Sequence, residues 1–172
     1  MIKLFATVFI LTGCGYLGIL FAMSYKKRVR QLIEFQQVLN LLEFDINFLA
    51  VPLKESFEKI SKNSGGGVKD VIDYIRERIE KDKCIDMQRL WERGFQRFSD
   101  EIFLTQEDKK ILLDFSKNLG CGDRESEINN IKITLSRLKI AENEAREIAK
   151  TNVKMYRGLG FLTGFFIVII LI

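Results

Sequence analysis

Leu11-Thr12-Gly13-Cys14 has the pattern of a bacterial lipid-attachment site, small and apolar residues closed by a cysteine. Cleavage before Cys14 and acylation of its thiol would leave everything downstream outside the cell. Few other residues offer chemistry. There is no histidine, so the commonest general base and metal ligand is absent. Cys14, Cys84 and Cys121 are too widely spaced for a metal site and imply no disulfide framework. Gly65-Gly66-Gly67 lacks the Gly-Lys-Ser/Thr ending of a phosphate loop and follows no strand, so it is expected to be a flexible interhelical loop. Glu107 and Asp108 are first-turn residues favoured by a helix dipole rather than an acid–base pair. No cofactor, metal or small-molecule substrate is implied, and no enzyme is expected.

Two constellations point to binding instead. Glu43 and Asp45 are the charged residues of the otherwise mostly apolar stretch Leu39–Leu49, where they could form an acidic edge for a basic partner protein. Near the chain ends, Gly160 and Gly164 form a GxxxG pattern, and Cys14 and Gly18 a small-xxx-small pattern. Both allow close approach of helices inside a membrane.

Those patterns sit in two runs of nearly pure hydrocarbon. Leu4–Met23 is 20 residues without a charge, and Gly158–Ile172 adds 15 more. A bilayer core needs about 20 helical residues, so the second run spans only if Met155 and Tyr156 join it and Arg157 reaches to the surface. All 23 acidic residues fall between Glu34 and Glu147, where they outnumber Lys and Arg by four. The excess positive charge is therefore a collar at the ends of the apolar runs. Lys26, Lys27, Arg28 and Arg30 follow the first run, while Lys150, Lys154 and Arg157 precede the second. An acidic body with basic collars does not suit nucleic acid. It suits a hairpin whose middle is cytoplasmic, because positive charge stays inside and only Lys3 lies beyond. The exported, lipid-anchored alternative requires the reverse, and it leaves Cys14 followed by apolar Gly15–Met23 rather than a polar tether.

The middle carries helical periodicity and one proline, Pro52. Val29, Leu32, Leu39, Leu42, Ile46 and Leu49 share one helix face over about residues 26–50, with Gln36 filling a gap in the spacing. Pro52 suits the first turn of a short helix over 52–62, broken by Asn63–Gly67. Val68, Val71, Ile72, Ile75 and Ile79 mark a third helix, and Met87, Leu90, Trp91, Phe95 and Phe98 a fourth. Thr105 to Asp108 resembles a capping box opening a fifth, which carries Ile111, Leu112 and Phe115 and stops at Gly120. The last helix repeats Ile128, Ile131, Leu135, Leu138, Ala141, Ala145 and Ile148 without a breaker from Glu125 to Arg157. The first and last helices both join apolar runs, so they should be antiparallel with their stripes facing each other. The expectation is an all-α protein: a cytoplasmic helical bundle of about six helices over 26–153, with transmembrane helices at 1–25 and 154–172.

The layout resembles the stage III sporulation protein AB family along the whole chain. The resemblance rests on Arg30-Gln31-Leu32, the stretch Leu39–Ile46, Pro52-Leu53, Leu104-Thr105 through Phe115, Leu119-Gly120, Asp123, and Lys154–Gly160 leading into the apolar tail. Asp45 stands where Glu is expected in that family, which keeps the charge and shortens its reach. The resemblance implies a protein of the mother-cell membrane facing the forespore, within a channel-like complex joining the two cells. It also implies a cytoplasmic domain similar to the platform proteins of type II secretion and type IV pili, docking a companion secretion-type ATPase among other membrane proteins of the sporulation complex.

Overall fold

The computed structural model describes the backbone of residues 2–49, 51–81, 86–119 and 123–171. Side chains are described over 23–48, 51–79, 81, 86–119, 123–152 and at Met155. Every regular element among the described residues is a helix. Helix α1 spans Ile2–Phe44 and runs into a π-helical turn, Asp45–Leu49. Then come α2 (Leu53–Asn63), α3 (Gly66–Lys81), α4 (Met87–Arg97), α5 (Gln106–Lys117) and α6 (Arg124–Leu171).

Local chemistry explains the ends. The Pro52 carbonyl accepts from the Glu55 and Ser56 amides at 2.9 and 3.2 Å, so α2 begins just after the proline. Asp86 accepts from the Arg89 amide at 3.3 Å and caps α4. Thr105 and Asp108 form the reciprocal capping box of α5: Thr105 Oγ1 accepts from the Asp108 amide, and Asp108 Oδ2 from the Thr105 amide. Asp123 accepts from the Ser126 amide at 3.2 Å, and this hydrogen bonding with Ser126 holds its carboxyl below the ordinary range at the start of α6.

The glycine run differs from the flexible loop expected of it. Gly66 has φ +54° and Gly67 already belongs to α3. A Cβ on Gly67 would lie 2.7 Å from the Glu101 carbonyl oxygen, so this position is glycine because another part of the backbone passes against it. The sequence could not show that approach, since Glu101 is remote along the chain.

The chain divides into two compact units, Arg30–Glu142 and the combination of Met1–Val29 with Asn143–Ile172. In the first unit every helix contributes to one core: Leu32, Phe35 and Leu39 from α1, Phe57 and Ile60 from α2, and Val71, Ile72 and Ile75 from α3. Trp91 and Phe95 from α4, Leu112 and Phe115 from α5, and Ile131 and Leu138 from α6 complete it. Burying each large side chain contributes about 1.5–3 kcal/mol. Phe35, Phe95 and Phe115 surround Trp91 with ring centroids 5.9–6.2 Å from the indole. Leu135, expected in the buried stripe of α6, is half-buried instead, and Thr134 takes an inward position.

Within this unit α1 and α6 are antiparallel. Gln36 Nε2 donates to Glu142 at 3.0 Å, and Glu43 lies 3.9 Å from Lys132, so the partner number falls as the α1 number rises. In the second unit Ala145 and Ala149 are buried one turn apart on α6. Among the described residues no helix is long and apolar enough to cross a membrane. Apart from Met23, the side chains of both apolar runs, with Cys14, Gly18, Lys154, Arg157, Gly160 and Gly164, lie outside the described residues.

Candidate interaction surface

Residues 39–49 carry the most unusual surface of the first unit. Leu39, Leu42 and Ile46 turn inward, as their spacing requires. Leu41, Phe44 and Phe48 lie off that stripe and are 39, 51 and 70% exposed. The Phe44 and Phe48 rings stand 5.2 Å apart, joining the end of α1 to the π-helical turn. A π turn holds an extra residue, which changes which side chains face inward from that point on, and such turns often mark functional places. Here Asp45 and Ile46 are buried in succession while Phe48 projects.

The two acidic residues do not share one open edge. Asp45 is 5% exposed, and its Oδ1 lies 3.5 Å from Lys59 Nζ of α2. Glu43 is half-buried and faces Lys132 of α6 at 3.9 Å. Both carboxylates are thus partly neutralised inside the chain, and the open feature of the stretch is aromatic. Sequence reading noted the acids and passed over Phe44 and Phe48. The signal was present, because neither fits the 3–4 spacing of Leu39, Leu42 and Ile46.

Of the junction residues with described side chains, Lys26, Lys27 and Arg30 are exposed and Arg28 is half-buried. Arg30 Nε pairs with Glu34 at 2.9 Å one turn on. Its neighbour Gln31 points the other way. Gln31 Nε2 donates to the Glu101 carbonyl at 2.6 Å, and Gln31 Oε1 accepts from the Phe103 amide at 2.7 Å. One buried amide thereby satisfies two backbone groups of the loop between α4 and α5. No sequence pattern announced this clamp.

No group of three or more His, Cys, Asp or Glu residues among those described could hold a metal ion. The carboxylates that do come together are Glu101 and Asp70. Hydrogen bonding with Asp70, and then its charge, pushes the Glu101 carboxyl above the ordinary range.

The family model for stage III sporulation protein AB matches residues 3–172. Stage III sporulation protein AB of Bacillus subtilis (strain 168) is 28% identical over 171 residues, covering 99% of both chains. A solved structure of stage III sporulation protein AB superposes with a TM-score of 0.65 at 24% identity, covering 72% of this chain and 97% of its own. It shares the all-helical fold.

Proposed function

The chain belongs to the stage III sporulation protein AB family, and on that premise we propose that it is a non-enzymatic membrane platform for a complex between mother cell and forespore. Sporulation is the role that membership carries. The platform reading goes further: apolar ends hold the chain in the mother-cell membrane, and the helical body docks a secretion-type ATPase on its cytoplasmic side.

One observation supports docking above the others, the exposed ridge of Leu41, Phe44 and Phe48 beside Glu43. Aromatic side chains open to water beside paired charges have the make-up of an interface core with its polar rim. Glu43 contributes at that rim by steering a basic partner, while Asp45 with Lys59 fixes the turn that carries Phe48.

The test is co-purification of the full chain, in detergent micelles, with the companion ATPase. Phe44→Ser with Phe48→Ser should abolish binding while leaving helicity unchanged. Glu43→Lys should weaken binding and alter its salt dependence. Lys109→Glu with Lys110→Glu, a charge reversal on α5, should bind as wild type. Binding by the double serine variant at wild-type strength would remove the ridge from the proposal. Topology has its own test: Cys84 and Cys121 should resist labelling in intact cells until the membrane is permeabilised, and labelling of both without permeabilisation would favour the exported reading.

A further inference from the structure

Arg89, Arg93 and Arg97 recur at intervals of four along α4, and all three are exposed. Arg89 is paired with Asp86 at 3.2 Å. Arg97 is held differently, with its guanidinium 5.7 Å from the centre of the Tyr74 ring on α3 and 5.9 Å from that of Phe98. Arg78, one turn beyond Tyr74, lies 5.3 Å from the same ring. Two cations from two helices thus converge on one tyrosine. Among the described residues no carboxylate pairs with Arg78, Arg93 or Arg97, although Glu77 and Glu92 occupy the same helices. Other acids nearby are engaged: Asp73 with Ser61 and Arg76, and Asp70 with Glu101.

Gly94 makes the convergence possible. A Cβ there would stand 3.3 Å from Val71 and 3.6 Å from the Tyr74 ring, so the missing side chain lets α4 lie close along α3. Tyr74 and Arg97 meet at that crossing.

A guanidinium held over a ring can rest there through its face and offer its planar edge of N–H donors outward. That edge matches a carboxylate with two parallel hydrogen bonds. Arginines with no carboxylate partner among the described residues, two of them held by the Tyr74 ring, therefore form a receptor for carboxylates. We propose that the α3–α4 surface bearing Tyr74, Arg78, Arg93 and Arg97 docks an acidic segment of a partner protein, with carboxylates about one helical turn apart.

Charge decides among polyanions. The body between Glu34 and Glu147 has a net charge of −4, so a long nucleic acid meets repulsion on either side of this local patch. A lipid surface would use apolar anchors beside the cations, yet every large exposed hydrophobic residue among those described lies outside α3 and α4. A short acidic segment meets the arginines without those penalties. The surface is separate from the Leu41–Phe48 ridge, and its test does not depend on the ATPase.

The experiment measures fluorescence anisotropy of a labelled helical peptide with glutamates one turn apart, titrated with the full chain in zwitterionic detergent micelles. Binding should weaken steadily with added salt. Arg78→Glu with Arg97→Glu should lower affinity about tenfold or more. Arg97→Lys keeps the charge but loses the planar fork, and should cost several-fold; Lys109→Glu with Lys110→Glu should change little. Circular dichroism confirms folding in each case. Failure of the peptide to bind at low salt, or wild-type binding by the double arginine variant, overturns the proposal. So does an oligonucleotide or an anionic vesicle bound as tightly as the peptide and lost in the same variants, since that marks a general polyanion surface.

Discussion

Phe35 and Gln36 are adjacent on α1 and face opposite kinds of neighbour. Phe35 lies among rings, 6.2 Å from Trp91 and 6.0 Å from Phe95. Gln36 donates to Glu142, which is 1% exposed and also accepts from Lys139 at 2.9 Å. One flank of the helix is held by shape and removal from water, the other by matched polar groups around a buried carboxylate. The first resists changes in charge and is sensitive to volume; the second is the reverse. A buried charge adds little net stability but makes loss of its partners expensive, so the α1–α6 seam specifies alignment more than it supplies strength.

Substitutions should separate the two flanks. Trp91→Ala empties the ring cluster and should destabilise by about 3–5 kcal/mol, read from thermal unfolding followed by circular dichroism. On the polar flank, Gln36→Leu leaves Glu142 short of a donor and should cost about 1–3 kcal/mol. Adding Glu142→Leu should restore part of that loss, because both polar groups are then gone; a double variant equal to the sum of the singles would deny the coupling. Gly67→Ala tests a third, purely steric contact. It must push the Glu101 loop away from α3 against the hold of Gln31, and should cost about 1–3 kcal/mol.

The smallest effect is electrostatic. The raised carboxyl of Glu101 favours the folded state while protonated. That contribution is complete below the ordinary glutamate pKa of about 4.3 and is lost as pH rises through the folded value. Glu101→Gln stays neutral at every pH, so its melting temperature should exceed that of wild type at neutral pH. The difference should close on acidification. A difference independent of pH would mean that Asp70 and Glu101 do not interact.

Much of the bundle was legible because apolar spacing reports directly on helix faces. Leu32, Leu39, Leu42, Ile131 and Leu138 lie where their periods place them, and Thr105 with Asp108 caps α5 because a capping box is local chemistry. Gln36 was visible as a polar residue inside an apolar stripe, but its partner Glu142 is 106 positions away and carries no mark of burial. Separation along the chain also hid the Gln31 clamp and the closeness of Gly67 to Glu101. Leu135 shows the limit of periodicity, which gives a face and not the depth of each side chain upon it. At the candidate surface the composition of Leu39–Leu49 was readable, but the π turn, which places Phe48 outside and Asp45 inside, was not. That pitch change depends on how the whole turn packs rather than on a residue type.

Trp91 is the chain's one tryptophan. Its indole N–H is buried without an acceptor among the described residues, inside a cage of phenylalanines. An indole so isolated from water and from hydrogen bonding should emit at the blue end of the tryptophan range, and collisional quenchers should hardly reach it. Helix α4 carries Trp91 on its inner side and the arginine row on its outer side. A ligand gripping Arg93 and Arg97 therefore pulls on the same short rod that holds the chromophore, and the protein contains its own optical gauge of whether docking outside is felt within.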